Sequence, residues 1–202
     1  MNIVVLRYGG LGDILLATPL LRVVNQRYPA ASITFVTEAR NKNILSNSTL
    51  VHATHGLDKA TRTSVYKSYV VGGSLRKQVG NIDLYINLQP SLKAMALGIG
   101  LMPKATWTFK KDRRIQVATR KVRHAIDDFL NVLPGGIPSN ANRLMEFVIP
   151  ADDKCHAEQK ATELGISLSK AIVINPAGTR DINRWPPEKL GEFIAWIEVN
   201  LE

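Results

Sequence analysis

Cysteine is nearly missing from this chain of 202 residues, where Cys155 stands alone. A single thiol excludes an intrachain disulfide framework and fits a reducing compartment. No helix start or pair of bases beside Cys155 marks it as an activated nucleophile. Long apolar runs are missing too, and no stretch approaches the roughly 20 residues of a membrane-spanning helix. The opening MNIVVLRYGGLGD lacks the order of a signal peptide, in which a basic residue precedes a longer apolar segment. The expectation is a cytoplasmic protein. Internal repeats and low-complexity tracts are likewise absent. With 45% hydrophobic and 21% charged residues, the composition is that of a globular protein. Its length allows one good core and the beginning of a second.

Acidic residues are in short supply, 17 against 26 Lys and Arg, for a net charge of +9. The imbalance is local. Lys104, Lys110, Lys111, Arg113, Arg114, Arg120, Lys121 and Arg123 are opposed between 104 and 123 by Asp112 alone. Such a cluster attracts polyanions, or forms a solvated charged face. Only Trp107 and Phe109 are interleaved, too few for a base-stacking surface, so nucleic acid is not the expected partner. An anionic glycolipid or the inner face of a membrane is.

What is present has the pattern of an α/β protein. NIVVL at 2–6 is a short β-branched run ending in glycines, as a buried parallel strand does. The apolar spacing from Ile14 to Tyr28 predicts a helix, with Pro19 either in an irregular first turn or at N1 behind a Thr18 cap. SITFVT at 32–37 is a second strand. Together they open a doubly wound parallel sheet. Further strands are expected at 52–54, 82–87 and 105–109, and further helices at 64–80, 92–98 and 122–133. The segment 133–142 reads as a linker or loop. A strand-like MEFVIP follows, then a helix at 152–164. A second buried strand, AIVIN at 171–175, leads through PAGTRDINRW into a helix from Pro187.

Two loops are candidates for chemistry. In the first, Gly9, Gly10 and Gly12 permit close approach of a ligand to backbone N–H groups. Asp13 at its mouth is either a general base for a substrate hydroxyl or a helix cap. A nicotinamide dinucleotide site would use Gly10 and Gly12, with Glu38 on the ribose. Against it, Leu15 replaces the third glycine, and Asp13 sets negative charge where a pyrophosphate must approach. In the second loop Asn175, Gly178, Thr179, Arg180, Asn183 and Arg184 make a reasonable phosphate cradle. Trp185 there is expected to be structural.

The run RYGGLGDILLATPLLRVVNQRYPAASITFVT resembles the N-terminus of glycosyltransferase family 9, the ADP-heptose:lipopolysaccharide heptosyltransferases. IDLYINLQPSLKA, HAIDDFLNVL and IVINPAGTRDINRWPPEKL follow in the family's order. The resemblance implies a Rossmann-like, doubly wound N-terminal domain of a GT-B glycosyltransferase. Residues 1–150 would be the acceptor-side domain, and 151–202 the beginning of the nucleotide-sugar-binding domain. It further implies inverting, metal-independent transfer without a cofactor, from an ADP-heptose-like donor to a lipopolysaccharide-core-like acceptor. Asp13 matches the catalytic base, and Thr179 matches a residue on the donor diphosphate. Asn183 falls where the family has a Lys, leaving Arg180 or Arg184 to supply the cation. Gly9, Gly10 and Gly12 would shape the acceptor loop, with Thr179, Asn183 and Arg184 near the donor phosphates. The family's later Asp-Thr-Gly-like loop and its following His are not in the sequence, so the 202 residues alone are expected to transfer sugar poorly. A non-catalytic module binding an anionic glycolipid or a protein is the alternative.

Overall fold

The computed structural model describes residues 1–110, 123–176, 178 and 181–200. They fall into two compact units, Met1–Pro150 and Ala151–Glu202. In the first unit the order is β1 (Asn2–Leu6), α1 (Leu11–Leu15), α2 (Thr18–Arg27), β2 (Ser32–Glu38), a 3-10 segment (Ala39–Leu45), β3 (Ala53–Leu57), α3 (Lys59–Thr63), α4 (Val65–Val79), β4 (Leu84–Asn87), α5 (Leu92–Leu101), β5 (Ala105–Thr108) and α6 (Ala125–Leu130).

The five strands are parallel in the order β3-β2-β1-β4-β5. The chain winds outward from β1 to β3, then returns to the other side of β1. The reversal lies between β1 and β4, where the crevice at the carboxyl ends of such sheets holds ligands.

Every residue of NIVVL after Asn2 is apolar because β1 is covered on both faces. Ile3 and Val5 pack with Leu20, Leu21 and Val24 of α2 and with Phe129 and Leu130 of α6. Val4 and Leu6 point the other way, onto Leu75 of α4 and Leu97 and Leu101 of α5.

The helix expected from Ile14 to Tyr28 is two helices. Ala17 is the N-cap of α2, and Pro19 sits in its first turn, where a missing N–H costs nothing. The first turn is therefore the irregular one. Thr18 is not the cap; its hydroxyl donates to the Leu15 carbonyl at 2.7 Å and accepts the Glu146 N–H at 2.8 Å.

Helices α4 and α5 approach to backbone contact because glycines face each other. A Cβ on Gly72 would collide with the Leu97 carbonyl, and one on Gly100 with the Tyr69 carbonyl. Neither obstacle is a flexible side chain that could swing away. Gly100→Ala is therefore expected to cost about 1–3 kcal/mol as overpacking, read as a fall in the thermal midpoint. An unchanged midpoint would mean the helices part without penalty.

Two expected strands are not strands. MEFVIP is irregular, and its Met145, Phe147 and Ile149 are exposed. Polar anchors hold it instead: Glu146 accepts from Ser48 at 2.6 Å and pairs with Arg22 at 3.5 Å. AIVIN, expected to be buried, is likewise outside any strand, with Val173 92% exposed. A parallel strand needs a neighbour for its N–H and C=O groups, and among the described residues of the second unit there is none. That unit comprises α7 (Ala151–Glu163), a 3-10 turn (Asp181–Asn183) and α8 (Pro187–Asn200).

Most of the basic stretch lies outside the described residues. Of its described members, Lys104 pairs with Asp83 at 2.7 Å, and Arg123 lies 3.9 Å from Asp128. Among the described residues no helix is long and apolar enough to cross a membrane.

Candidate functional site

The glycine loop leaves the carboxyl end of β1 at the point where the strand order reverses. Gly9 adopts φ +127°, and a Cβ there would also run into the Asp13 carboxylate. Glycine is required at that position on both counts. At Gly10 and Gly12 the requirement is different: φ is not in the left-handed region, and a Cβ would meet nothing within 4 Å. The loop is open to solvent over these two residues.

Asp13 occupies the third position of α1, behind Gly10 as N-cap. One oxygen accepts the Gly10 N–H at 3.1 Å, and the other accepts from the Arg7 guanidinium at 2.7 Å. The cap and base readings of Asp13 are thus compatible. Its side chain remains 39% exposed, and a carboxylate with two accepted hydrogen bonds has lone pairs left for a third. The side chain is neither turned inward nor wholly consumed by its helix.

Arg7 is the residue that the sequence did not single out. It directly follows β1 and reaches across the reversal point, donating to the Leu88 carbonyl and to Gln89 Oε1, both at 3.1 Å. Its guanidinium also lies 5.1 Å from the Phe129 ring centre. Arg7 thereby locks the first loop to the loop after β4 and to α6. The Gln89 loop is shaped locally by Asn87, whose side-chain oxygen accepts the Gln89 N–H at 2.9 Å. His124 caps α6, its Nδ1 accepting the Ile126 N–H at 3.3 Å.

Glu38 supports the loop from the other side. It is buried, accepts from Arg62 at 2.8 Å and Arg40 at 2.9 Å, and takes the Gly9 N–H at 3.3 Å. Asn41 completes the support by donating to the Gly9 carbonyl at 2.7 Å. Buried and already accepting three hydrogen bonds, Glu38 is not presented to a ribose, so the nicotinamide reading loses its acid. Tyr8 lies beside it with a buried hydroxyl, and burial pushes its pKa up to about 12.

No family model matches the chain, and no curated protein matches it. Solved structures do. A glycosyl transferase family 9 protein from Veillonella parvula superposes with a TM-score of 0.80 at 23% identity, over 97% of this chain and 59% of that one. The E. coli ADP-heptose LPS heptosyltransferase II follows at 0.67 and 16% identity, covering 98% of this chain and 61% of that one. E. coli heptosyltransferase WaaC with ADP-2-deoxy-2-fluoro heptose gives 0.62 and 18%, covering 98% and 65%.

The chain has the fold of these glycosyltransferases.

It spans 59% to 65% of their lengths. Of the sequence-expected residues on the second loop, Thr179 and Arg180 lie outside the described residues. Asn183 closes the 3-10 turn and is exposed. Arg184 is committed within its own loop, donating to the Gly178 carbonyl at 2.8 Å and pairing with Asp181 at 3.0 Å. Trp185 packs on Phe193 of α8 with ring centres 5.4 Å apart, a structural role. Gly9, Gly10, Gly12 and Asp13 lie together in the first unit, and Asn183 and Arg184 belong to the second.

Proposed function

We propose that Met1–Pro150 is the acceptor-side half of a glycosyltransferase of the heptosyltransferase type, and that Ala151–Glu202 begins its nucleotide-sugar half. The observation that carries this reading is the Asp13 carboxylate: held from two sides at the reversal point of the sheet, it still presents free lone pairs to solvent. The likeness of the fold to heptosyltransferases, one of them solved with an ADP-sugar, supports it.

In this mechanism an acceptor hydroxyl donates its proton to Asp13 as its oxygen attacks the anomeric carbon of the donor sugar. The bond from that carbon to the diphosphate breaks, the nucleoside diphosphate leaves, and configuration inverts. Gly10 and Gly12 leave room for the acceptor, while Gly9 allows Asp13 to close on the loop. Arg7 orients the carboxylate. Thr179, Asn183 and Arg184 would lie near the donor phosphates. Asn183 donates a hydrogen bond but no charge, so stabilising the leaving group falls to Arg180 or Arg184. Arg184 would have to exchange Asp181 for phosphate. The acceptor is an anionic glycolipid of the lipopolysaccharide-core kind, met on the cytoplasmic side of the membrane.

The test is ADP release from ADP-heptose by the full-length gene product. Release is expected only when a core oligosaccharide acceptor is present. No release with acceptor would leave the alternative, a binding module, which Asn183 and the Asp181-bound Arg184 favour. Calorimetry with ADP then separates an enzyme with another acceptor from a module that binds no nucleotide.

A further inference from the structure

The outer surface of α4 and α5 does not look like a surface made for water. On α5, Ala94, Leu97 and Leu101 face the sheet side of the core. Leu92, Met95, Ile99 and Met102 point outward and are 71%, 55%, 66% and 65% exposed. The spacing of three and four residues sets Leu92, Met95 and Ile99 on one stripe of α5, and Met102 follows at its C-cap. Tyr66, Tyr69 and Val70 of α4 are exposed as well. The glycine contact at 72 and 100 leaves no room for large side chains between the helices. A hollow of about 620 Å³ lies where Tyr69, Val70, Arg76 and Lys77 approach Gly100 and Met102. A helix apolar on all sides is ordinarily enclosed by protein or by lipid. Ten residues make α5 too short to span a bilayer, so a lipid cover would lie alongside it.

The charge on this face has one sign. Neither Val65–Val79 nor Leu92–Leu101 contains an Asp or Glu, while Lys67, Arg76, Lys77 and Lys93 are present. Acids at the border are engaged elsewhere: Asp58 caps α3 through the Thr61 N–H, and Asp83 holds Lys104 and the Asn2 N–H. Arg76 spends its guanidinium on Met102 Sδ and Asn81, not on a carboxylate.

We propose that the outer face of α4 and α5 is a docking surface for an anionic lipid bilayer. The aromatic and aliphatic side chains enter the boundary between headgroups and acyl chains, and the four cations meet anionic headgroups. A second copy of the chain fits poorly, since pairing this face with itself brings both sets of cations together without a carboxylate. The inference needs neither Asp13 nor a sugar, so it stands or falls apart from the proposed transfer. Nor does it need a cation from the basic stretch 104–123.

The experiment is co-sedimentation of the full chain with phosphatidylglycerol-containing vesicles and with phosphatidylcholine vesicles. Binding is expected to the first, severalfold weaker to the second, and to decline with salt. The pair Leu92→Ser with Ile99→Ser, and separately Lys67→Glu with Lys77→Glu, should each weaken binding about tenfold or more. All four residues are off the core, so the melting temperature should hold, and Asp13→Asn should bind vesicles like the parent. Failure of the parent chain to bind phosphatidylglycerol vesicles would overturn the proposal. So would undiminished binding by both double variants. A dimer in sedimentation velocity that Leu92→Ser with Ile99→Ser dissociates, without vesicle binding, would assign the face to a second copy.

Discussion

Asp13→Asn is expected to lower the turnover number for sugar transfer by about 10²–10⁴-fold, the span that a positioned general base contributes. The substitution keeps the size of the side chain and one oxygen that can accept from Gly10 or Arg7. What it removes is the capacity to take a proton from the acceptor hydroxyl. KM for both substrates should therefore change little. Stability should fall by no more than about 1 kcal/mol, because an ion pair with a partly exposed member contributes little. Steady-state kinetics of the full-length gene product, alongside a melting curve, read both quantities. Turnover equal to the parent's, with the fold intact, removes Asp13 from the chemistry and leaves it a helix cap. Arg7→Met provides a further control: it leaves the base but frees its orientation, so turnover should drop less than in Asp13→Asn.

Glu38→Ala is expected to produce the largest loss of stability at the loop, about 3 kcal/mol, in the range for removing one partner of a buried ion pair. The carboxylate is 8% exposed and neutralises Arg62, itself mostly covered. Without Glu38 the Arg62 guanidinium stays in place with no anion, and its Nε already lacks a hydrogen-bond partner. The Gly9 N–H loses its acceptor in the same step. Arg40, 72% exposed, returns to water at little cost. Glu38→Gln keeps an acceptor for Gly9 and Arg62 and should lose roughly half as much. Urea unfolding distinguishes these variants. A Glu38→Ala midpoint equal to the parent's would mean that the loop is held by Asn41 alone.

The two substitutions separate roles that one short loop combines. Asp13 is set from within by Gly10 and from across the sheet by Arg7, whereas Glu38 secures the backbone of Gly9 from β2. A defect in transfer without a defect in folding belongs to the first arrangement. A shared loss of both belongs to the second.

Sequence and structure agree wherever short-range physics decides the outcome. The apolar run NIVVL was readable as a strand covered on two faces, and IDLYIN at 82–87 as a further strand, whose last four residues form β4. Gly9 was readable as part of a glycine turn. The loop that holds Asp13 was also evident, because glycines followed by a carboxylate at a helix start leave few alternatives. Errors came where an element needs a distant neighbour. MEFVIP and AIVIN have strand-like composition, yet a parallel strand exists only beside another, and composition carries no information on whether one is there. The helix at 14–28 broke because Pro19 demands a first turn, a local fact, while the hydrogen bond from Glu146 to Thr18 that steadies the break spans 128 residues.

By itself, the sequence determined the α/β class, the core of β1 and the place of Asp13 at the mouth of the opening loop, since each follows from spacing within a turn or a strand. Only the tertiary structure decided that Arg7 meets Gln89 82 residues away, that Glu38 is a buried support, and that α5 turns a second apolar stripe outward. Those facts depend on which strands lie side by side and how closely two helices approach, and both are settled by packing over the whole unit.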